Sequence, residues 1–379
     1  MKNNLFYYAT GELTQDAILC YCANAFNDES HPELREMAVK FIQLLLNGRA
    51  GSDIQISSVD VVRQFSKAVT VNKEKITVKI DVLLIVNGNI AVILEDKTYS
   101  GHHDDQITRY REGLDALKKE GLTVPLRKDY VSSPEEKSFR IDKIICVYYK
   151  TGEYYPSDEK IERRSDVVCI HRKDMLDLLA GYTKYSEILE QYYTTLSELD
   201  RWYKEIEFMY RSEKYETALN ESYGQLVCAR DFFHGKMAEP YQEKDIIIET
   251  GSSYGRPYTW IWLWGETGRY WFGYRIDRDS NGCCISFRQY KWHAKTENTD
   301  CIREKKAAIH AFFRQYFINN LERTALCRYK LGSEPGTHYE NPIITFYFKD
   351  YESPWSEFKD NLQQVAEAAI LAWRNSGKG

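Results

Sequence analysis

Asp81 is followed, fourteen residues later, by the triplet Glu95–Asp96–Lys97. Residues two apart on a strand share a face, so Glu95 and Lys97 point one way and Asp96 the other. Asp81 lies at the start of the preceding apolar run, and Asn87–Gly88–Asn89 reads as the turn of a hairpin joining the two. A three-residue loop sets Asp81 directly opposite Glu95. A two-residue loop slips the register by one and turns Asp81 toward the face of Asp96. The longer loop wants a left-handed residue at its end, which Asn89 suits. In that register two carboxylates and an ammonium converge. Carboxylates so close repel unless a divalent cation neutralises them, and Mg²⁺ takes one or two carboxylates together with waters and phosphate oxygens. Lys97 would orient a water and stabilise charge developing on a phosphate. The chemistry these residues suit is metal-assisted hydrolysis of a phosphodiester.

The residues that follow extend the pattern. Gln106 and Tyr110 are four apart in a segment of helical spacing, hence on one face. A short connection returns that helix over the strand end, so both side chains could reach a phosphate or a base. His102 and His103 in the connection either share that role or are plain loop residues. Asp96 reads as a structural ion-pair partner on the back face. Gln64, in the strand region before Asp81, reads as an ordinary residue outside the site.

These residues need elements to hold them. Residues 10–26 and 32–48 have helical spacing, with Thr10 or Thr14 as a cap of the first and Gly48 as a stop for the second. Residues 54–65, 76–86 and 90–97 are rich in β-branched residues and read as strands. Residues 104–121 return to helix, with Asp104 or Asp105 as N-cap and Gly121 as stop. Residues 143–150 and 167–170 are apolar strands, and a helix begins near 172. The order α, α, β, β, β, α, β, β, α predicts an α/β, or α+β, mixed sheet flanked by helices. One long helical region is expected from about 185 to 223.

The second half differs. Short aromatic strands, among them "YTWIWLW" and "CCISFRQYKW", alternate with glycine-containing turns and predict an antiparallel sheet. A helix near 301–320, the strand "IITFYFKD" and a helix over 355–375 complete an α+β domain. At roughly 100–200 residues per domain, 379 residues suit two. The expected division is 1–200 and 201–379.

Net charge is −5, which argues against coating nucleic acid by bulk charge but leaves local basic patches open. Arg288, Lys291, Lys295, Arg303, Lys305, Lys306, Arg314, Arg323, Arg328 and Lys330 form such a stretch, interleaved with Tyr290, Trp292, Tyr316 and Tyr329. That mixture suits phosphate attraction and base stacking, or a solvated helix face over core aromatics. The nine cysteines include no CxxC pair and fit neither zinc nor iron–sulfur spacing; they are expected as reduced thiols in a cytoplasmic protein. The N-terminal "MKNNLFYYAT" lacks the apolar core of a signal peptide, and no apolar run approaches the length of a membrane span.

With these residues in place, the chain resembles the PD-(D/E)XK nuclease superfamily. Asp81 with Glu95–Asp96–Lys97 carries the resemblance, and Gln106–Ile107–Thr108–Arg109–Tyr110 resembles the QxxxY motif of the RecB-like branch. "GELTQDA" near the N-terminus and "EDKTYSGHHDDQITRY" are similar to a bacterial and phage group of stand-alone members. The resemblance covers roughly residues 5–180. It implies a restriction-endonuclease-like core in 1–200. Asp81 and Glu95 would be ligands of Mg²⁺ or Mn²⁺, the backbone carbonyl of Asp96 a further ligand, and Lys97 catalytic. Glu12 matches a first-helix glutamate near the metal, with Asp16 one turn later able to substitute. Gln106 and Tyr110 would position substrate. Ile80 stands where the family pattern has proline, and the four-cysteine cluster of some RecB-like members has no counterpart. The implied activity is a metal-dependent nuclease acting on nucleic acid, DNA in preference to RNA, in defence or mobile-element biology. The C-terminal domain would bind substrate, a signalling ligand, a partner protein or a second copy of the chain. The alternative is a non-catalytic module of the same fold that binds nucleic acid or acts as a scaffold, against which the intact acid–acid–lysine set argues.

Overall fold

The computed structural model describes residues 4–9, 12–47, 54–71, 73–98, 106–118, 121–126, 135–153, 156–233, 247–253, 256–264, 270–291, 299–320, 329–333, 340–348 and 355–376. Its contacts divide into two compact units, Met1–Arg201 and Trp202–Gly379.

The first unit opens with two helices, α1 (Glu12–Asn24) and α2 (Pro32–Leu46). Thr14 lies inside α1, so it is not the cap, and Thr10 and Gly48 are outside the described residues. Pro32 starts α2 where a missing N–H costs nothing, and Asn47 ends it in the left-handed region (φ 41°). Three antiparallel strands follow: β1 (Val59–Val71), β2 (Glu74–Val86) and β3 (Ile90–Lys97). Then come α3 (Gln106–Lys118), a ribbon of β4 (Leu122–Leu126) and β5 (Glu135–Phe139), and β6 (Lys143–Lys150). The short α4 (Pro156–Glu162), β7 (Val167–His171) and α5 (Arg172–Leu179) complete this part. The sheet order is β1-β2-β3-β6-β7, with β6 parallel to both β3 and β7. This is the mixed sheet expected from the sequence. The β4–β5 ribbon and α4 are additions to the expected order.

Both faces of the sheet are covered, which is why β3 is buried along its whole length. Ile90, Val92 and Leu94 pack with α1 and α2. Ala91 and Ile93 pack on the other face with Ile107, Tyr110 and Leu114 of α3. The hairpin turn between β2 and β3 has three residues, because Val86 pairs with Ile90. Its left-handed residues are Asn87 (φ 54°) and Gly88 (φ 73°), rather than Asn89. Asn87 is held there by its side chain, which accepts from the backbone N of Ser57 (2.8 Å) and donates to the carbonyl of Gln55 (2.8 Å).

The expected long helix is broken. It comprises α6 (Glu187–Arg211), α7 (Tyr215–Ala218) and α8 (Ser222–Phe233), with Glu213 left-handed (φ 60°) at the first break. The second unit carries an antiparallel sheet of β8 (Ile247–Ser253), β9 (Arg256–Trp264), β10 (Tyr270–Asp279), β11 (Gly282–Lys291), β12 (Tyr329–Leu331) and β13 (Glu340–Tyr347). The strand order is β12-β13-β11-β10-β9-β8. Its core joins aromatic residues of the sheet, such as Phe272, Phe287 and Phe346, to α8, α9 (Thr299–Asn320) and α10 (Trp355–Asn375).

Candidate metal centre

Carried one residue past the Val82–Leu94 pair, the β2–β3 register sets Asp81 against Glu95. The three-residue turn therefore produces the register that brings the acids together. On the α3 side, Lys97 Nζ lies 2.7 Å from Glu95 Oε1, and both side chains are nearly sealed from solvent. On the α1 side stands Asp96. Its carboxylate, that of Asp81 and that of Asp16 on α1 each contribute an oxygen to a group lying within 4.8 Å of one another. Asp81 thus sits at the sheet's rim between an acid pair on one side and Glu95–Lys97 on the other.

The electrostatics are those of crowded acids that Lys97 offsets only in part. Asp16 and Asp96 are each only 1 % exposed. Both oxygens of Asp96, and Oδ1 of Asp16, are buried without a hydrogen-bond partner among the described residues. Burial, then the charges of Glu95 and Asp16, push the Asp81 carboxyl up to about 7, against the pull of Lys97. Burial and contact with Asp16 hold the Asp96 carboxyl well above the ordinary carboxylate range. Buried acceptor-only oxygens without donors are costly, and a hard divalent cation with oxygen ligands removes that cost. The donor set fits such an ion.

The expected ion-pair role of the Asp96 side chain is not what the geometry shows: its carboxylate joins the acid cluster. Glu12 opens α1, and its side chain lies outside the described residues. Among the described side chains of α1, Asp16, one turn on, reaches the cluster. His102, His103, Asp104 and Asp105 lie outside the described residues. Gln106 and Tyr110 share a face at the start of α3, with Gln106 Nε2 3.5 Å from the Tyr110 hydroxyl. Burial first, then the charges of Glu95 and Asp81, raise the Tyr110 hydroxyl pKa, so this face lies beside the acids. Gln106 Oε1 is buried without a hydrogen-bond partner among the described residues.

A polar clamp closes the rim. Gln15 Nε2 on α1 donates to Thr98 Oγ1 and Thr151 Oγ1, each at 2.9 Å, tying α1 to the ends of β3 and β6. This contact fixes the helix on which Asp16, the next residue, is carried. Sequence reasoning missed one participant. Gln64 Nε2 donates to Asp16 Oδ2 at 2.5 Å, although nothing in its strand context singles it out.

The C-terminal basic stretch does not form one solvated patch. Arg288 is paired with Asp277 and Glu340, and Lys306 is buried. Lys295, Arg323 and Arg328 lie outside the described residues. The cysteines that are described, Cys20, Cys22, Cys146, Cys169, Cys228, Cys283 and Cys284, are free thiols. Among the described residues, no helix is long and apolar enough to cross a membrane.

The mixed sheet, with helices on both faces, carries a cluster of buried carboxylates from β2, β3 and α1 that could hold a metal ion. The family model of the PD-(D/E)XK nuclease superfamily matches residues 4–223, and the chain belongs to that superfamily. The match runs through α6 and ends within α8. No curated protein and no solved structure matches the chain.

Proposed function

We propose that the protein is a Mg²⁺- or Mn²⁺-dependent nuclease that hydrolyses DNA phosphodiester bonds, of the RecB-like branch with Gln106 and Tyr110 as its QxxxY pair. The observation that carries this reading is the cluster of Asp16, Asp81 and Asp96 beside the Glu95–Lys97 pair, in which Asp16 Oδ1 and both Asp96 oxygens are buried without a hydrogen-bond partner among the described residues. Asp81 belongs both to this cluster and to the ligand set that the family pattern implies, with Glu95 and the backbone carbonyl of Asp96. A bound divalent cation supplies positive charge against the acids and Lewis acidity toward a water and a phosphate oxygen.

The chain's own groups do the rest. Asp16, Asp81, Asp96 and Glu95 hold the cation. Lys97 carries a fixed positive charge at the same rim, held in place by Glu95, and orients the attacking water while stabilising charge on the phosphate. Gln106 and Tyr110 present an amide and a hydroxyl to the substrate. Residues 1–200 act as the nuclease domain and residues 201–379 as the part that contacts substrate, ligand or partner. A cytoplasmic setting, consistent with the free thiols, and a role in defence or mobile-element biology complete the reading.

Linear, circular and single-stranded DNA and RNA, each incubated with Mg²⁺ or Mn²⁺, test it. Wild type should cut at least one DNA substrate, and Lys97→Ala and Asp81→Ala should cut it far more slowly. Equal cleavage by wild type and Lys97→Ala overturns the assignment. Absence of specific Mn²⁺ binding to wild type favours the scaffold reading instead.

A further inference from the structure

Gln64 has a backbone that its sequence does not explain. It lies inside β1, yet its φ is +53°. A strand residue other than glycine in that region is strained, and nothing about glutamine favours it over asparagine or glycine. The β1–β2 pairing runs from Arg63–Val82 to Phe65–Ile80 and skips Gln64, which falls opposite Asp81. The disturbance extends across both strands. Val62 and Phe65, three apart, face the same core, as do Ile80 and Leu83, where strict alternation would separate them. The ribbon therefore turns about its axis at the level of Asp81. There the Gln64 amide meets Asp16, donating to Oδ2 and leaving Oδ1 as the oxygen without a partner among the described residues.

We propose that Gln64 is a positioning residue of the metal centre: its left-handed backbone aims the amide at Asp16, and the amide fixes the Asp16 carboxylate so that one oxygen is kept for the cation. A neutral donor suits this place. A lysine or arginine would cancel the charge the cation needs, whereas an amide N–H orients a carboxylate without neutralising it. Gln64 itself is exposed, so its side chain contributes little to the core. The strain is retained at a site where it serves geometry.

This inference rests on the metal-centre reading, and titration calorimetry with Mn²⁺ separates the two. No binding to wild type refutes the metal centre itself. Given binding to wild type, Gln64→Ala and Gln64→Gly should each lose affinity by about 10- to 100-fold, the usual effect of removing a group that orients a ligand. Gln64→Gly also relieves the backbone strain, so the metal-free melting temperature should hold or rise. Loss of affinity without loss of melting temperature in Gln64→Gly supports the positioning role. Unchanged affinity in Gln64→Gly overturns it. Affinity lost together with melting temperature in Gln64→Gly overturns it too, because the residue would then be structural.

Discussion

Lys97 Nζ stands 2.7 Å from Glu95 Oε1, on the face of β3 opposite to the one that Asp96 occupies. One short strand end therefore divides its charges: an ion pair toward α3, and toward α1 an acid whose oxygens have no hydrogen-bond partner among the described residues. Removing Lys97 uncovers the first. Loss of one partner of a buried ion pair costs about 3–5 kcal/mol, because the other charge stays buried. Lys97→Ala should melt well below wild type in chelator, and saturating Mg²⁺ should narrow the gap by supplying positive charge near Glu95. Cleavage should fall by about 10²–10³-fold, the usual loss when one preorganised electrostatic group is removed. Calorimetry with and without Mg²⁺, beside single-turnover cleavage, checks both halves.

The raised Asp81 carboxyl links metal-free stability to pH. Its folded pKa of about 7 lies above the unfolded value of 3.8, so the folded state binds the extra proton between those limits. Stability from this group is then fully present below pH about 4 and lost as pH rises through about 7. Metal-free wild type should lose stability between pH 5 and pH 8 relative to Asp81→Asn, which has no proton to release. Chemical denaturation at a series of pH values in chelator reads the difference directly. A wild-type slope no steeper than that of Asp81→Asn would contradict the crowding of these acids. Mn²⁺ should bind more weakly at pH 5.5 than at pH 8, because it competes with protons for the same oxygens.

How much of this was legible in the sequence depended on where each signal was local. The apolar runs and the Asn87–Gly88–Asn89 turn marked the hairpin but left two registers open, and the three-residue turn of the folded chain is what opposes Asp81 to Glu95. The period-2 rule separated Glu95 and Lys97 from Asp96. Which face holds more of the acids was not legible, because it depends on how α1 packs across the sheet, a long-range contact. Asp16 and Gln64 are 48 residues apart and meet only in the folded chain. The break after α6 also escaped, since its left-handed residue is Glu213 rather than a glycine or asparagine. The β4–β5 ribbon lies where a proline and many charged residues obscure alternation.

The buried pair Lys150–Asp158 anchors α4 to the sheet beside the site. Nζ and Oδ2 are 3.4 Å apart, both side chains are fully buried, and the Tyr148 hydroxyl donates to Asp158 Oδ1 at 2.6 Å. Lys150 pairs in register with Lys97 across β3 and β6, so a buried ammonium freed of its carboxylate would stand next to the proposed catalytic lysine. Asp158→Ala should destabilise the fold by about 3–5 kcal/mol. The double replacement Lys150→Met with Asp158→Leu should recover most of that loss, since exchanging a buried pair for apolar residues is often neutral or better. Urea denaturation of the single and double variants measures the difference.

The approach of α3 to the sheet should control substrate handling without controlling the cation. Gly113, buried on α3, faces Val78 of β2, and a Cβ added there would come within 2.1 Å of Val78 Cγ2. Val78 is β-branched and has little rotamer freedom to yield. Gly113→Ala should therefore push the helix outward and destabilise the fold by about 1–3 kcal/mol, as overpacking of a filled core does. Gln106 and Tyr110 ride on the same helix and would shift with it, away from Glu95 and Asp81. The acids come from α1, β2 and β3, none of which moves by necessity. Cleavage should fall while Mn²⁺ affinity, read by calorimetry, stays within a few-fold of wild type. Adding Val78→Ala should make room for the new methyl group and restore part of the lost cleavage. Equal losses of metal affinity and cleavage in Gly113→Ala would show that α3 holds the cation as well as the substrate.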